Sequence, residues 1–187
     1  TTVSDDALLS SPDPDWPHSW FSIQATSALP VITESVVLDG FSQPNAQLNT
    51  NSTESLVGLN TVLKIELNGS LAGTGGGLTL DATARIRGLV INRFTTAGHA
   101  IQLASGNGHM IEGNFLGTDP SGTVDLGNTT GAVIASTSSQ NLIGGLAAEA
   151  RNLISGNAQA GIQIAGTENR VQGNLIGTDR SGTRALR

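Results

Sequence analysis

The sequence predicts an all-β chain, a right-handed parallel β-helix (solenoid) of roughly seven to eight coils wound from short strands. Three observations carry that expectation. An eleven-residue motif recurs at long range, the segments around it alternate apolar and polar residues, and the composition suits strands and turns rather than helices.

The repeat comes first. Gly113–Thr123 (GNFLGTDPSGT) returns sixty residues on as Gly173–Thr183 (GNLIGTDRSGT). Upstream, Ile101–Ala104 and Met110–Glu112 correspond to Ile162–Ala165 and Arg170–Gln172. Weaker relatives are Leu78–Leu80 with Arg85–Asn92, and Asn141–Gly145 with Asn152–Asn157. Within these segments Ile162 and Ile164 flank Gln163, and Leu63, Ile65 and Leu67 flank Lys64 and Glu66. Period two with one apolar face is the mark of a half-buried strand. Strands this short bury too little alone, so they must stack on their like, with successive coils about 4.8 Å apart. A mean coil of about 20 to 25 residues sets the expected coil count.

The alternation assigns an inward face to Leu63, Ile65, Leu67, Leu78, Leu80, Ile86, Ile101, Leu103, Ile111, Val133, Leu142, Leu153, Ile162, Ile164 and Val171. A charge placed at Ile164 is expected to unfold the coils around it, because a dry core cannot hold an unpaired charge. Gly88, Gly113 and Gly173 fall at corners. Asn92, Asn114, Asn157 and Asn174 end or follow strands, where an amide side chain can bond the asparagine one coil away.

Composition narrows the function classes. Hydrophobic residues are 37%, charged residues 13% and aromatics 3%, with 24 glycines and no tyrosine, which fits neither a disordered chain nor a helical one. A net charge of −6 argues against a nucleic-acid partner, since phosphate neutralisation needs clustered Lys and Arg. No run reaches transmembrane length, so no membrane span is expected. There is no cysteine, hence neither disulfide nor thiolate metal site. The chain starts at Thr1 without Met, which reads as a processed product or a piece of something longer. Low charge with Ser, Thr, Asn and Gly in excess leans towards an extracellular or cell-surface setting.

Residues 1–21 read as an irregular N-terminal cap, because Pro12, Pro14 and Pro17 exclude helix and central strand. Residues 22–187 form the β-helix, open at its C-terminal end. Insertions project at Gln43–Asn60, Gly117–Asn128 and Gly145–Arg151, the last with room for one helical turn at Ala147–Ala150.

No catalytic, cofactor-binding or metal-ligating residue is expected. Glycoside hydrolysis needs two carboxylates at defined separation, and lyase chemistry needs a basic side chain beside Ca²⁺-holding carboxylates. The Asp5–Asp6 pair lies in the irregular start. Lys64, Glu66, Arg85, Arg87 and Glu112 read as an outward, solvated set, with Arg87 and Glu112 paired across coils. His99 and His109 read as turn or surface residues, as does His18. Asp119 and Asp179 read as turn caps. The sequons at Asn51, Asn68 and Asn128 are expected in exposed loops.

Together, Ser27–Thr33, Leu38–Pro44, Ile65–Ser70 and the repeats that follow resemble the bacterial secreted parallel β-helix repeat proteins of the pectate-lyase-like superfamily. The resemblance covers about five sixths of the chain and departs from the family at Asp13–Trp20. It implies a right-handed β-helix exported to the cell surface or medium, and it makes a polysaccharide-degrading or carbohydrate-binding β-helix the rival reading. The expectation favoured by the residues is a structural extracellular module, not an enzyme, serving as adhesin or filament subunit without a cofactor. Its partners would be copies stacked head to tail or the continuation of a longer β-helix, with a cell-surface glycan as a further partner. Trp16, Trp20, Phe21, Leu175, Ile176 and Leu186 are the expected assembly residues.

Overall fold

The structure is a computed structural model that describes residues 2–4, 19–52, 57–96 and 98–186. Its strands are two to six residues long and form three sheets. The seven-stranded sheet contains, in spatial order, β1 (Thr2–Ser4), β2 (Ser19–Gln24), β4 (Ile65–Asn68), β7 (Leu89–Asn92), β10 (Phe115–Leu116), β13 (Leu153–Ile154) and β16 (Leu175–Ile176). The four-stranded sheet holds β5 (Leu78–Leu80), β8 (His99–Leu103), β11 (Thr130–Ile134) and β14 (Ala160–Ile164). The five-stranded sheet holds β3 (Val36–Asp39), β6 (Ala84–Arg87), β9 (Met110–Glu112), β12 (Leu142–Gly144) and β15 (Arg170–Gln172). All strand pairings are parallel except that of β1 with β2.

The chain visits the seven-, four- and five-stranded sheets in that order and then returns to the first, a β-helix-like parallel fold. Among the described strands the second to fifth passes are complete, the first reaches the four-stranded sheet only through the bridge of Ile32 to Leu80, and β16 begins a sixth. The segments at 40–64 and 117–129 make two of the passes longer than the others. The sixty-residue repeat covers two passes: Gly113 precedes β10, Gly173 precedes β16, and β13 lies between.

Alternation sorts side chains as the period of two requires. Rows such as Leu67, Ile91, Leu116 and Ile154, or Leu80, Leu103 and Ile134, run along the inside in register. Leu80, Ile86, Ile101, Leu103, Ile111 and Ile143 are fully buried in this core. Four residues expected to point inward do not: Leu63 and Leu153 lie in the apolar cluster outside the seven-stranded sheet, Leu153 in register with Phe115 and Leu175, and two more face outward from their strands. Val133 pairs with Gln102 and Gln163, and Leu142 pairs with Met110 and Arg170, all on the outer faces. In both strands adjacent aliphatic residues left the parity open, and the neighbouring rows chose Ala132, Ile134 and Ile143 for the inside.

The start of the chain also differs from expectation. Residues within 1–21 were expected to be irregular, yet Thr2–Ser4 and Ser19–Phe21 lie in antiparallel strands. β1 therefore occupies the N-terminal edge of the seven-stranded sheet, the kind of edge that unpaired would recruit another strand.

Corners are held by asparagine ladders. Asn114 Nδ2 donates to Asn152 Oδ1 at 3.2 Å, and Asn152 Nδ2 to Asn174 Oδ1 at 2.8 Å. Asn128 and Asn157 are joined likewise, as are Asn141 and Asn169. Asn92 departs from the expected ladder: its amide donates to Glu66 and to the Thr118 carbonyl. His109 stands one rung before Asn141, fully buried, with Nδ1 accepting from Ala84 N–H and Nε2 bonded to the Ser105 carbonyl. It is a corner rung, not a surface residue. The sequon asparagines are also not where they were expected. Asn68 and Asn128 are buried, and the half-buried Asn51 gives its amide to the Gly58 carbonyl.

The described parts of the insertion, residues 43–52 and 57–60, form a strap. It leaves after β3, narrows at an antiparallel bridge between Gln47 and Val62, and lies over the outside of the seven-stranded sheet. Beneath it Leu59 and Leu63 pack on Val90, Phe115 and Leu153, with Phe41 and Leu175 at the margin. That sheet is thus apolar on both faces.

Candidate functional site

Two regions hold the chemistry-bearing side chains, and they differ in what they can do. On the five-stranded sheet, Asp39, Arg87 and Glu112 lie in register on successive strands. Arg87 Nη1 is 3.7 Å from Glu112, and its Nε is 3.7 Å from Asp39. The Arg85 guanidinium also closes on Glu112, and Arg87 sits 5.2 Å over the Phe41 ring. The cross-coil pair expected from sequence is present, but Glu112 is 6% exposed rather than solvated. Lys64 and Glu66, also expected outside, are buried. Glu66 accepts from Asn92 and from the Trp20 indole N–H at 3.1 Å. Both guanidinium groups close on the same oxygen, Glu112 Oε1, and hold it in place.

The Gly-Thr-Asp turns behave as caps. Asp119 accepts from the N–H groups of Ser121, Thr123 and Val124, and Asp179 from Ser181 and Arg184. Burial alone would raise the Asp179 carboxyl. The Ser181 hydroxyl, the N–H groups of Arg184 and Ser181, and the Arg184 guanidinium outweigh it and hold the group below its ordinary value. Among the described residues, no three His, Cys, Asp or Glu side chains gather where a metal could sit. His99 is pushed below its usual value by burial. His18 lies outside the described residues.

The second region is the C-terminal end of the stack, formed by β14, β15 and β16. Each is the last described strand of its sheet and has a neighbour on one side only. Ile164 is 48%, Val171 38% and Ile176 49% exposed, while the residues one pass earlier, Ile134, Ile143 and Ile154, are at most 1% exposed. The register is the same, and no described strand lies beyond these three. Ile164 points along the core row as expected, but it is not in a dry core.

Polar groups repeat that pattern. Asn141 Nδ2 donates to Asn169, whereas Asn169 Nδ2 is buried and has no acceptor. A Cβ on Gly117 would lie 2.2 Å from the Ser155 carbonyl of the following pass; at Gly177, its copy, nothing lies within 4 Å. A groove of about 580 Å³ lined by Gln140, Asn141, Leu142, Glu168, Asn169 and Arg170 opens beside this face.

The expected assembly residues divide between the ends. Ile176 lies on the open face. Leu175 does not, since it points outward beneath the strap. Leu186 N–H bonds the Gly177 carbonyl, closing the last turn. Trp20 and Phe21 sit on β2 at the other end, behind β1. Trp16 lies outside the described residues. Sequence reasoning put Ile164 and Val171 in the core and left Asn169 out of its ladder; aligning the passes and asking which is last would have found all three. Among the described residues no helix is long and apolar enough to cross a membrane. No protein-family model, curated protein or solved structure matches the chain.

Proposed function

We propose that the chain is a structural module, a right-handed parallel β-helix of the secreted β-helix repeat kind, whose core rows are continued past β14, β15 and β16 by a further coil, supplied by a second copy stacked head to tail or by more of the same polypeptide. The handedness follows from the rule for parallel crossovers in twisted sheets. The observation that carries the reading is the triplet Ile164, Val171 and Ile176, half exposed in rows whose earlier members are sealed. Covering them contributes on the order of 1 kcal/mol each, and the unpaired edges of β14, β15 and β16 add main-chain bonds. The chemistry that fits is another coil, with aliphatic residues inside and a side-chain carbonyl facing Asn169. Low charge and abundant Ser, Thr, Asn and Gly support an extracellular or cell-surface place for such a module, as adhesin or as part of a longer rod; a filament of copies would have to displace β1 from the edge of β2.

The rival reading, a carbohydrate-binding or polysaccharide-degrading β-helix, draws support from the resemblance alone. The carboxylate best placed for it, Glu112, is held by Arg85 and Arg87.

Electron microscopy of native material tests the proposal. Rods longer than one stack of passes are expected, shortened to single stacks by the paired substitutions Val171→Asp and Ile176→Asp. Discrete particles that turn over pectin, alginate or a related polymer would overturn it.

A further inference from the structure

In a solenoid each coil touches only its neighbours, so an uncovered end is where opening starts. One segment of this chain breaks that one-dimensional rule. The strap leaves the stack before β4 and meets it again in the last turn, after β16. Leu59 N–H donates to the Arg180 carbonyl at 2.7 Å. In return the Arg180 guanidinium donates to the Leu59 carbonyl from Nε at 2.9 Å and from Nη2 at 2.8 Å, spanning 121 positions of sequence. Gly58 presses so closely on this turn that a Cβ there would lie 2.0 Å from the Arg180 carbonyl. Midway, Asn49 Nδ2 donates to the Ala148 carbonyl at 2.8 Å, and Arg151 reaches Ser52.

The last turn is gripped from its other side too. Arg180 N–H donates to the Gly122 carbonyl, and Arg184 Nη2 to the Thr123 carbonyl, both at 2.8 Å. These bonds join the two copies of the Gly-Thr-Asp turn across the short corner Ser155–Asn157 that separates them. The copies Gly113–Thr123 and Gly173–Thr183 differ at three positions, of which Phe115/Leu175 and Leu116/Ile176 are exchanges between apolar residues. The third places Arg180 where the first copy has Pro120. Proline has neither the N–H that reaches Gly122 nor the guanidinium that reaches Leu59.

We propose that the strap is a clasp: it ties the second pass to the sixth through Arg180 and holds β14, β15 and β16 against the stack. The clasp goes beyond the proposed function and stands whether or not a neighbour docks. It makes the terminal passes open together with the centre of the stack instead of fraying ahead of it.

Native-state hydrogen exchange on the intact chain tests this, first without any variant. Amides of β14, β15 and β16 are expected to be protected to within about tenfold of those in β7, β8 and β9. Arg180→Met, which keeps the aliphatic stem, is expected to lower protection in β14–β16 by about tenfold or more, since hydrogen bonds from a charged donor are among the stronger ones. Protection in β7–β9 is expected to stay within about threefold of wild type. Terminal strands exchanging about a hundredfold faster than the centre in the wild-type chain would overturn the clasp. So would an Arg180→Met variant that loses protection equally in all strands, or in none.

Discussion

Asn152 shows how much of this fold rests on single amides. It is fully buried; its Oδ1 accepts from the backbone and side-chain nitrogens of Asn114, and its Nδ2 donates to the Ile111 carbonyl and to Asn174. A ladder of this kind is satisfied only if every rung is present, because each amide completes the one before it. Asn152→Ala strands donors on both sides. An unsatisfied buried group costs about 1–3 kcal/mol, so a loss of about 3 kcal/mol or more is expected in denaturant unfolding. Asn157→Ala, at a half-buried corner nearer the open end, is expected to cost less than half as much. Equal losses at the two positions would show that position in the ladder does not matter. The ladders were partly legible: Asn114 and Asn174 stand in the repeat itself. His109 was not, since imidazole Nδ1 in place of an amide oxygen shows only when Ala84 N–H is seen to need an acceptor.

At the scale of the strand, inward and outward rows follow from alternation wherever one parity is apolar and the other polar. Ile162-Gln163-Ile164 leaves no doubt, and the structure places it accordingly. Ala132-Val133-Ile134 and Leu142-Ile143 carry aliphatic residues in both parities, so only register against Ile101, Leu103 and Ile111 resolves them. Lys64 and Glu66 failed for another reason. The strap that covers their sheet arrives from elsewhere in the chain, and no local pattern announces it. Position in the stack also governs what a substitution does. Ile143→Ala removes a fully buried side chain, and Ile176→Ala one that is half exposed in the equivalent setting. The first is expected to cost about 2–5 kcal/mol and the second about 1 kcal/mol or less. By the same reasoning Ile164→Asp leaves the stack folded, and Ile143→Asp does not. Thermal unfolding of the four variants checks the order. An Ile176→Ala loss equal to that of Ile143→Ala would mean that the end face is already covered.

For the whole molecule the decisive asymmetry lies between the two ends of the seven-stranded sheet. At one end β16 presents an open parallel edge. At the other β1 runs antiparallel to β2, with Thr2 opposite Phe21 and Ser4 opposite Ser19. A head-to-tail contact in parallel register needs the edge of β2, and β1 is lying on it. On the proposed reading, β1 guards the edge of β2 against the C-terminal face of another copy, as natural sheets commonly protect an edge. Freeing that edge offers it to the C-terminal face of another copy, a heterologous, non-closing contact of the kind that builds filaments. Val3→Pro does this with one change, since proline at the centre of a three-residue strand removes a main-chain donor and disrupts the pairing. The variant is expected to keep the core intact by circular dichroism while light scattering rises with concentration and fibres appear in the microscope. Adding Val171→Asp and Ile176→Asp to Val3→Pro should abolish the fibres, because the opposite face is then charged. If Val3→Pro scatters no more than the wild-type chain at the same concentration, β1 is not what limits growth, and the asymmetry of the ends has no bearing on assembly.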